Sequence, residues 1–202
     1  MRTSKPKSKS DVFIIESLSF DDENEKLHEG EILSNILKLN GKEPIYYYIR
    51  TANEFDHILD IFENSKYRYL HLSCHGSENS MQTTLDSIGF DELEAMLAPC
   101  LDYRRLFLSA CSMVNESLAT KLMANTKCHS VIGPGDKVAF TDSAIFWASF
   151  YHLMFVENFE SMVMKDIQSS LKKLAALFDV PINYYSSSTE NKQGYSFRKI
   201  KV

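Results

Sequence analysis

Two short runs in the sequence carry side chains suited to covalent chemistry. Tyr69 to Ser77 reads YLHLSCHGS, with two histidines and a cysteine within five residues and a glycine behind them. Arg105 to Ser112 reads RLFLSACS. A thiol beside an imidazole is the arrangement for nucleophilic catalysis, because the imidazole can take the thiol proton and later protonate a leaving amine. His75 and Cys111 are the candidates, 36 residues apart in the chain. Gly76 lacks a Cβ, so its backbone N–H can come close to a developing oxyanion.

Other chemistries fit these runs less well. On an extended strand, Cys74 points away from His71 and His75, so one metal ion does not easily collect all three. A phosphatase loop needs arginine six residues after its cysteine, but Cys74 has Ser80 there and Cys111 has Ser117. The turn Gly133-Pro134-Gly135 lacks the remaining glycines and the lysine of a phosphate-binding loop. No metal or cofactor is expected. His71 reads as a hydrogen-bonded core histidine and Cys74 as a small buried thiol. Trp147, Phe150, Tyr151 and Phe155 read as helix core.

The elements that position the two runs follow from apolar spacing. Asp11–Ser17 (DVFIIES), Pro44–Thr51 (PIYYYIRT), Tyr67–Ser73 (YRYLHLS), Arg104–Ser112 (RRLFLSACS) and Cys128–Gly135 (CHSVIGPG) read as strands. Between them lie helical patterns. Leu27, Ile32, Leu33, Ile36, Leu37 and Leu39 form one, closed by Gly41, and its acidic residues read as a solvated face. Phe55, Ile58, Leu59 and Phe62 form another, with Asn53 as its cap. Helices also follow at DELEAMLAP, NESLATKLMAN, TDSAIFWASFYHLMFVEN and SMVMKDIQSSLKKLAALF. This alternation predicts an α/β fold, a three-layer α/β/α sandwich with a mainly parallel sheet. The polar runs GSENSMQTT and SSSTENKQG read as loops open to processing or gating. GYSFRKIKV reads as a charged edge strand. In a parallel sheet, functional groups collect beyond the carboxyl ends of the strands, which is where His75 and Cys111 fall.

The whole-chain figures narrow the classes. The 202 residues are 44% hydrophobic and 24% charged, an ordinary globular composition for one domain. Residues 1–10 are expected to form a flexible basic tail and residues 11–202 a single domain. A net charge of −5 argues against direct nucleic-acid binding. The basic opening MRTSKPKSK lacks the apolar run of a secretion signal, and no later run suits a membrane span. A cytoplasmic protein with reduced thiols is the expectation.

YLHLSCHG followed by RLFLSACS resembles the paired His-Gly and Ala-Cys motifs of caspase-like cysteine peptidases, the group of caspases, separases, gingipains and legumains. The match is nearest to the bacterial CHAT-domain branch, and SVIGPGDKVAFTDSAIFWASFYHLMF resembles its segment after the cysteine. The likeness runs from Asp11 to Phe178. It implies a cysteine endopeptidase with His75 and Cys111 as catalytic dyad and the amides of Gly76 and Cys111 as oxyanion hole. It further implies a protein or peptide substrate, a regulatory partner protein, and a role in bacterial defence or programmed death, for example activating a gasdermin-like effector. Asp136 and Asp142 fall where such peptidases hold the substrate side chain before the cut bond, and an acid there would favour Lys or Arg. Their other reading is a turn residue and a helix N-cap. A catalytically inactive module that binds a partner is the alternative function. A small-molecule acyl-transfer enzyme using Cys111 is a more distant one.

Overall fold

A computed structural model describes residues 8–156 and 161–200. The chain runs β1 (Lys9–Glu16), α1 (Phe20–Asn24), α2 (Glu29–Leu39), β2 (Ile45–Tyr48), α3 (Ala52–Asn64) and β3 (Tyr67–Ser73). It continues through β4 (His75–Gly76), β5 (Ser80–Gln82), β6 (Ser87–Gly89), α4 (Phe90–Leu97), β7 (Arg105–Ser109) and α5 (Glu116–Asn125). The last elements are β8 (Ser130–Pro134), α6 (Phe140–Val156), α7 (Met164–Phe178), β9 (Ile182–Ser187) and β10 (Tyr195–Ile200).

Seven strands form one sheet in the order β10-β9-β8-β7-β3-β1-β2. The strands from β8 to β2 are parallel, and β9 and β10 add an antiparallel edge. The central strands are apolar almost continuously because both faces are covered. Phe13, Ile15, Leu70, Leu72, Leu106 and Leu108 point to the side packed by α3, α4 and α5. Val12, Ile14, Tyr69, Phe107 and Ile132 alternate with them and meet α6 and α7 on the other side. The result is the three-layer α/β/α sandwich with a mainly parallel sheet that the sequence predicts. A second sheet, β4-β5-β6, is small and antiparallel.

Several boundaries differ from the sequence expectation for local reasons. The acidic stretch after β1 makes two helices rather than one. Lys26 takes a left-handed φ of 59° between them, which breaks the helical path. Ser19 caps the first, its side chain accepting from the Asp22 amide. Gly41 closes α2 at φ 71°, its amide bonding back to Lys38 O. Ile32 and Leu39, read as part of the apolar face, are exposed. The cap of α3 is Thr51, not Asn53, because Thr51 and Glu54 form a reciprocal capping box. GSENSMQTT contains β5, and SSSTENKQG forms the turn of the β9–β10 hairpin, with β10 on the sheet edge. β1 begins at Lys9, inside the expected tail, while residues 1–7 lie outside the described residues. So do residues 157 and 158 of the expected helix TDSAIFWASFYHLMFVEN. Among the described residues, no helix is long and apolar enough to cross a membrane.

Candidate active site

The parallel pairing of β3 and β7 sets Ser73 opposite Ser109, so both strands end at the same level. The Cys74 amide extends this pairing by donating to Ser109 O at 3.1 Å. The next residues are His75 on one strand's continuation and Ala110-Cys111 on the other's. His75 and Cys111 therefore line one cleft of about 450 Å³, together with Leu18, Glu29, Ser143 and Phe140. Strand order does this: β3 and β7 are neighbours although the small sheet and α4 separate them in the chain.

The nucleophile candidate sits in a tight turn. Ser112, directly after Cys111, has φ 58°, a left-handed conformation rare for a residue with a Cβ. Its amide donates to Asp136 O at 3.2 Å, which ties the turn to the segment after β8. The Cys111 thiol donates to Val138 O at 3.6 Å and is partly exposed. Residues 112–115 separate it from α5, and Asn115 caps that helix. These four residues set the positive end of the helix back from the thiol, so it contributes little there.

Cys74 is the neighbouring thiol, and its environment differs. Though partly exposed like Cys111, it lies beneath the cleft beside the Glu29 carboxyl, and desolvation with that carboxyl pushes it up to about 12. Cys100 and Cys128 are likewise pushed up to about 12 by burial. His71 points to the far side of the sheet. It is fully buried, edge-on to Trp147 and Tyr151, with Nδ1 3.2 Å from the Tyr151 hydroxyl. Burial lowers it to about 3, so it stays neutral as a core residue.

Gly76 packs against the cysteine turn. A methyl group on it would lie 2.3 Å from Met113 Cγ and 3.2 Å from Cys111 O. Met113 is fully buried and has little room to yield. Gly76→Ala is therefore expected to destabilise the fold by about 1–3 kcal/mol, read as a lowered urea midpoint.

The two aspartates are placed elsewhere. Neither Asp136 nor Asp142 is among the residues lining the cleft. Asp136 is exposed and pairs with Lys199 of β10 at 3.1 Å. Asp142 is exposed in the first turn of α6, the favourable end of that helix for a negative charge.

Two acidic residues read only as a solvated face stand at the site instead. Glu29, at the start of α2, is 3% exposed and forms the floor of the cleft. It accepts from Ser73 Oγ at 2.7 Å and from Ser109 Oγ at 2.7 Å, and Ser109 Oγ lies 2.8 Å from Ser143 Oγ. Burial pushes its carboxyl up to about 7, against the pull of these hydroxyls, and Glu16 nearby pushes the same way. Asp22, in α1, lies with Oδ2 2.5 Å from His75 Nε2. A signal for Glu29 existed: it falls four and eight residues before Leu33 and Leu37, on the buried stripe of the same helix. Asp22 has no such signal, because it is brought to His75 by the fold of the β1–α2 connection.

The sheet order, the layers and the paired strand ends define a caspase-like α/β fold. Solved structures agree in architecture. The chain is similar to the Arg-specific cysteine proteinase gingipain R at a TM-score of 0.56 and 12% identity, over 83% of this chain and 42% of that one. It is similar to a secreted cysteine protease from Bacteroides thetaiotaomicron, solved with an irreversible peptide inhibitor, at 0.55 and 10%, over 88% and 66%. It is similar to caspase-1 from Spodoptera frugiperda at 0.56 and 14%, over 99% and 90%. The chain thus spans less than half of gingipain R and about two thirds of the Bacteroides protease. No protein-family model and no curated protein matches the sequence.

Proposed function

We propose that this protein is a cysteine endopeptidase in which Cys111 attacks a peptide carbonyl and His75 moves the proton. The observation that carries this reading is the shared cleft: the His75 imidazole and the partly exposed Cys111 thiol lie at the ends of adjacent parallel strands, beside a second thiol, Cys74, that is pushed up by its surroundings. Cys111 forms a thioester with the acyl half of the substrate as the amine leaves with a proton from His75. Water, deprotonated by the same imidazole, then releases the acid. Backbone amides of Gly76 and Cys111 stabilise the oxyanion in each half.

The residue before the cut bond is proposed to be basic. Glu29 is the acid among the cleft-lining residues, and none of them is Lys or Arg. Leu18, Val138 and Phe140 suit the methylene stem of a long side chain. Gingipain R, among the structural neighbours, is described as Arg-specific, in keeping with such a preference. The substrate is a protein partner, and the resemblance to the CHAT branch suggests a defence or cell-death setting with a gasdermin-like effector.

The test is a peptide acyloxymethyl ketone probe in three forms, with Arg, Leu or Asp at the reacting position. The expected result is labelling of Cys111 in preference to Cys74, lost in His75→Ala, with the Arg probe fastest. Equal labelling of Cys111 in His75→Ala would overturn the dyad. Absence of labelling by all three, with the protein folded, would point instead to a partner-binding module.

A further inference from the structure

We infer that Asp22 is a third member of the site, a positioning residue that fixes the tautomer and orientation of His75. This inference rests on the peptidase reading. His75 has a side chain 51% exposed, so packing alone does not hold its ring. What holds it is Asp22, whose Oδ2 lies 2.5 Å from Nε2. A carboxylate accepts and does not donate, so the hydrogen on a neutral ring belongs on Nε2. That leaves the Nδ1 lone pair as the base for the Cys111 thiol. When His75 takes the thiol proton, the imidazolium is paired with Asp22 at once.

Asp22 is itself held in place. Ser19 Oγ donates to Oδ2 at 2.5 Å and accepts from the Asp22 amide at 3.2 Å. The next residue, Glu23, accepts from Arg50 Nε at 2.9 Å and Nη2 at 2.6 Å, and also from the Tyr48 hydroxyl. α1 is thereby tied to the end of β2. Hydrogen bonds from Ser19 and the contact with His75 draw the Asp22 carboxyl down despite partial burial, so it stays ionised. The titratable groups at the ring and its cleft are Asp22 from α1, Glu29 from α2, Cys74 beyond β3, and Cys111 from the turn after β7.

Two measurements test this, and only one needs catalysis. Long-range ¹H–¹⁵N spectra at mildly alkaline pH read the tautomer directly. His75 is expected as the Nε2–H form in the wild type and as a mixture in Asp22→Ala. With the Arg-containing peptide, Asp22→Asn is expected to lower kcat about 10- to 100-fold with KM within about twofold, and Asp22→Glu to recover part of the loss. An unchanged tautomer in Asp22→Ala overturns the inference even if the protein cleaves nothing. So does a kcat for Asp22→Asn within about twofold of wild type, while the His75–Cys111 reading stands. Failure of the peptidase reading leaves the spectral result to decide the role of Asp22.

Discussion

Cys111→Ala is expected to lower peptide cleavage by at least about 10³-fold while leaving the urea midpoint within about 1 kcal/mol of wild type. The side chain is partly exposed and makes one weak contact, to Val138 O at 3.6 Å, so its removal leaves little cavity. Chemically the loss is complete, because no other thiol can substitute. Cys74 is next to His75 in sequence, yet burial holds it near 12, and Cys100 and Cys128 are buried far from the imidazole's edge of the sheet. Cleavage assays beside denaturation curves check both halves. Cleavage that survives in Cys111→Ala would assign the chemistry elsewhere. Equal loss in Cys74→Ala with an unchanged midpoint would show that both thiols are needed.

Glu29→Gln is expected to change stability with pH and to change substrate preference. The Glu29 carboxyl is raised from 4.5 to about 7 in the folded state, chiefly by burial. The folded protein therefore binds this proton more tightly than the unfolded chain does between those values. Stability falls as pH rises through that window, by up to about 3 kcal/mol. Glutamine keeps the shape, can still accept from Ser73 and Ser109, and carries no charge to bury. Urea midpoints across the window should fall in the wild type and stay nearly flat in the variant, which becomes the more stable of the two above pH 7. Parallel curves would remove Glu29 from the account. Above pH 7, where Glu29 is ionised, the same variant should lose about 10-fold or more of its preference for an Arg over a Leu substrate, since a cation then enters a neutral pocket.

Much of the frame was legible because the local signals are strong. Tyr67–Ser73 is legible to the residue, since its apolar run is bounded by a charged segment before and Cys-His-Gly after. The placing of His75 and Cys111 at one edge is legible for a related reason: each lies two residues past the end of a strand, and parallel strands bring their carboxyl ends to one edge. Less legible was the β1–α2 connection. Its run of acids looks like a solvated face, and nothing local says that Glu29 turns inward while Asp22 reaches across to His75. Asp136 and Asp142 fell in the expected segment, yet Lys199 draws the first to β10 and helix geometry turns the second outward.

The amino-acid sequence by itself determined the order of strands and helices, the layers, and the two residues offered for covalent chemistry. These depend on hydrophobic period and on neighbours a few positions away. The tertiary structure alone decided which carboxylates meet the imidazole and the floor of the cleft. Asp22 and His75 are 53 residues apart, and Glu29 and Ser109 are 80 apart. Contacts at such separations depend on strand register and on the packing of α2 against the sheet, and neither leaves a local pattern to read.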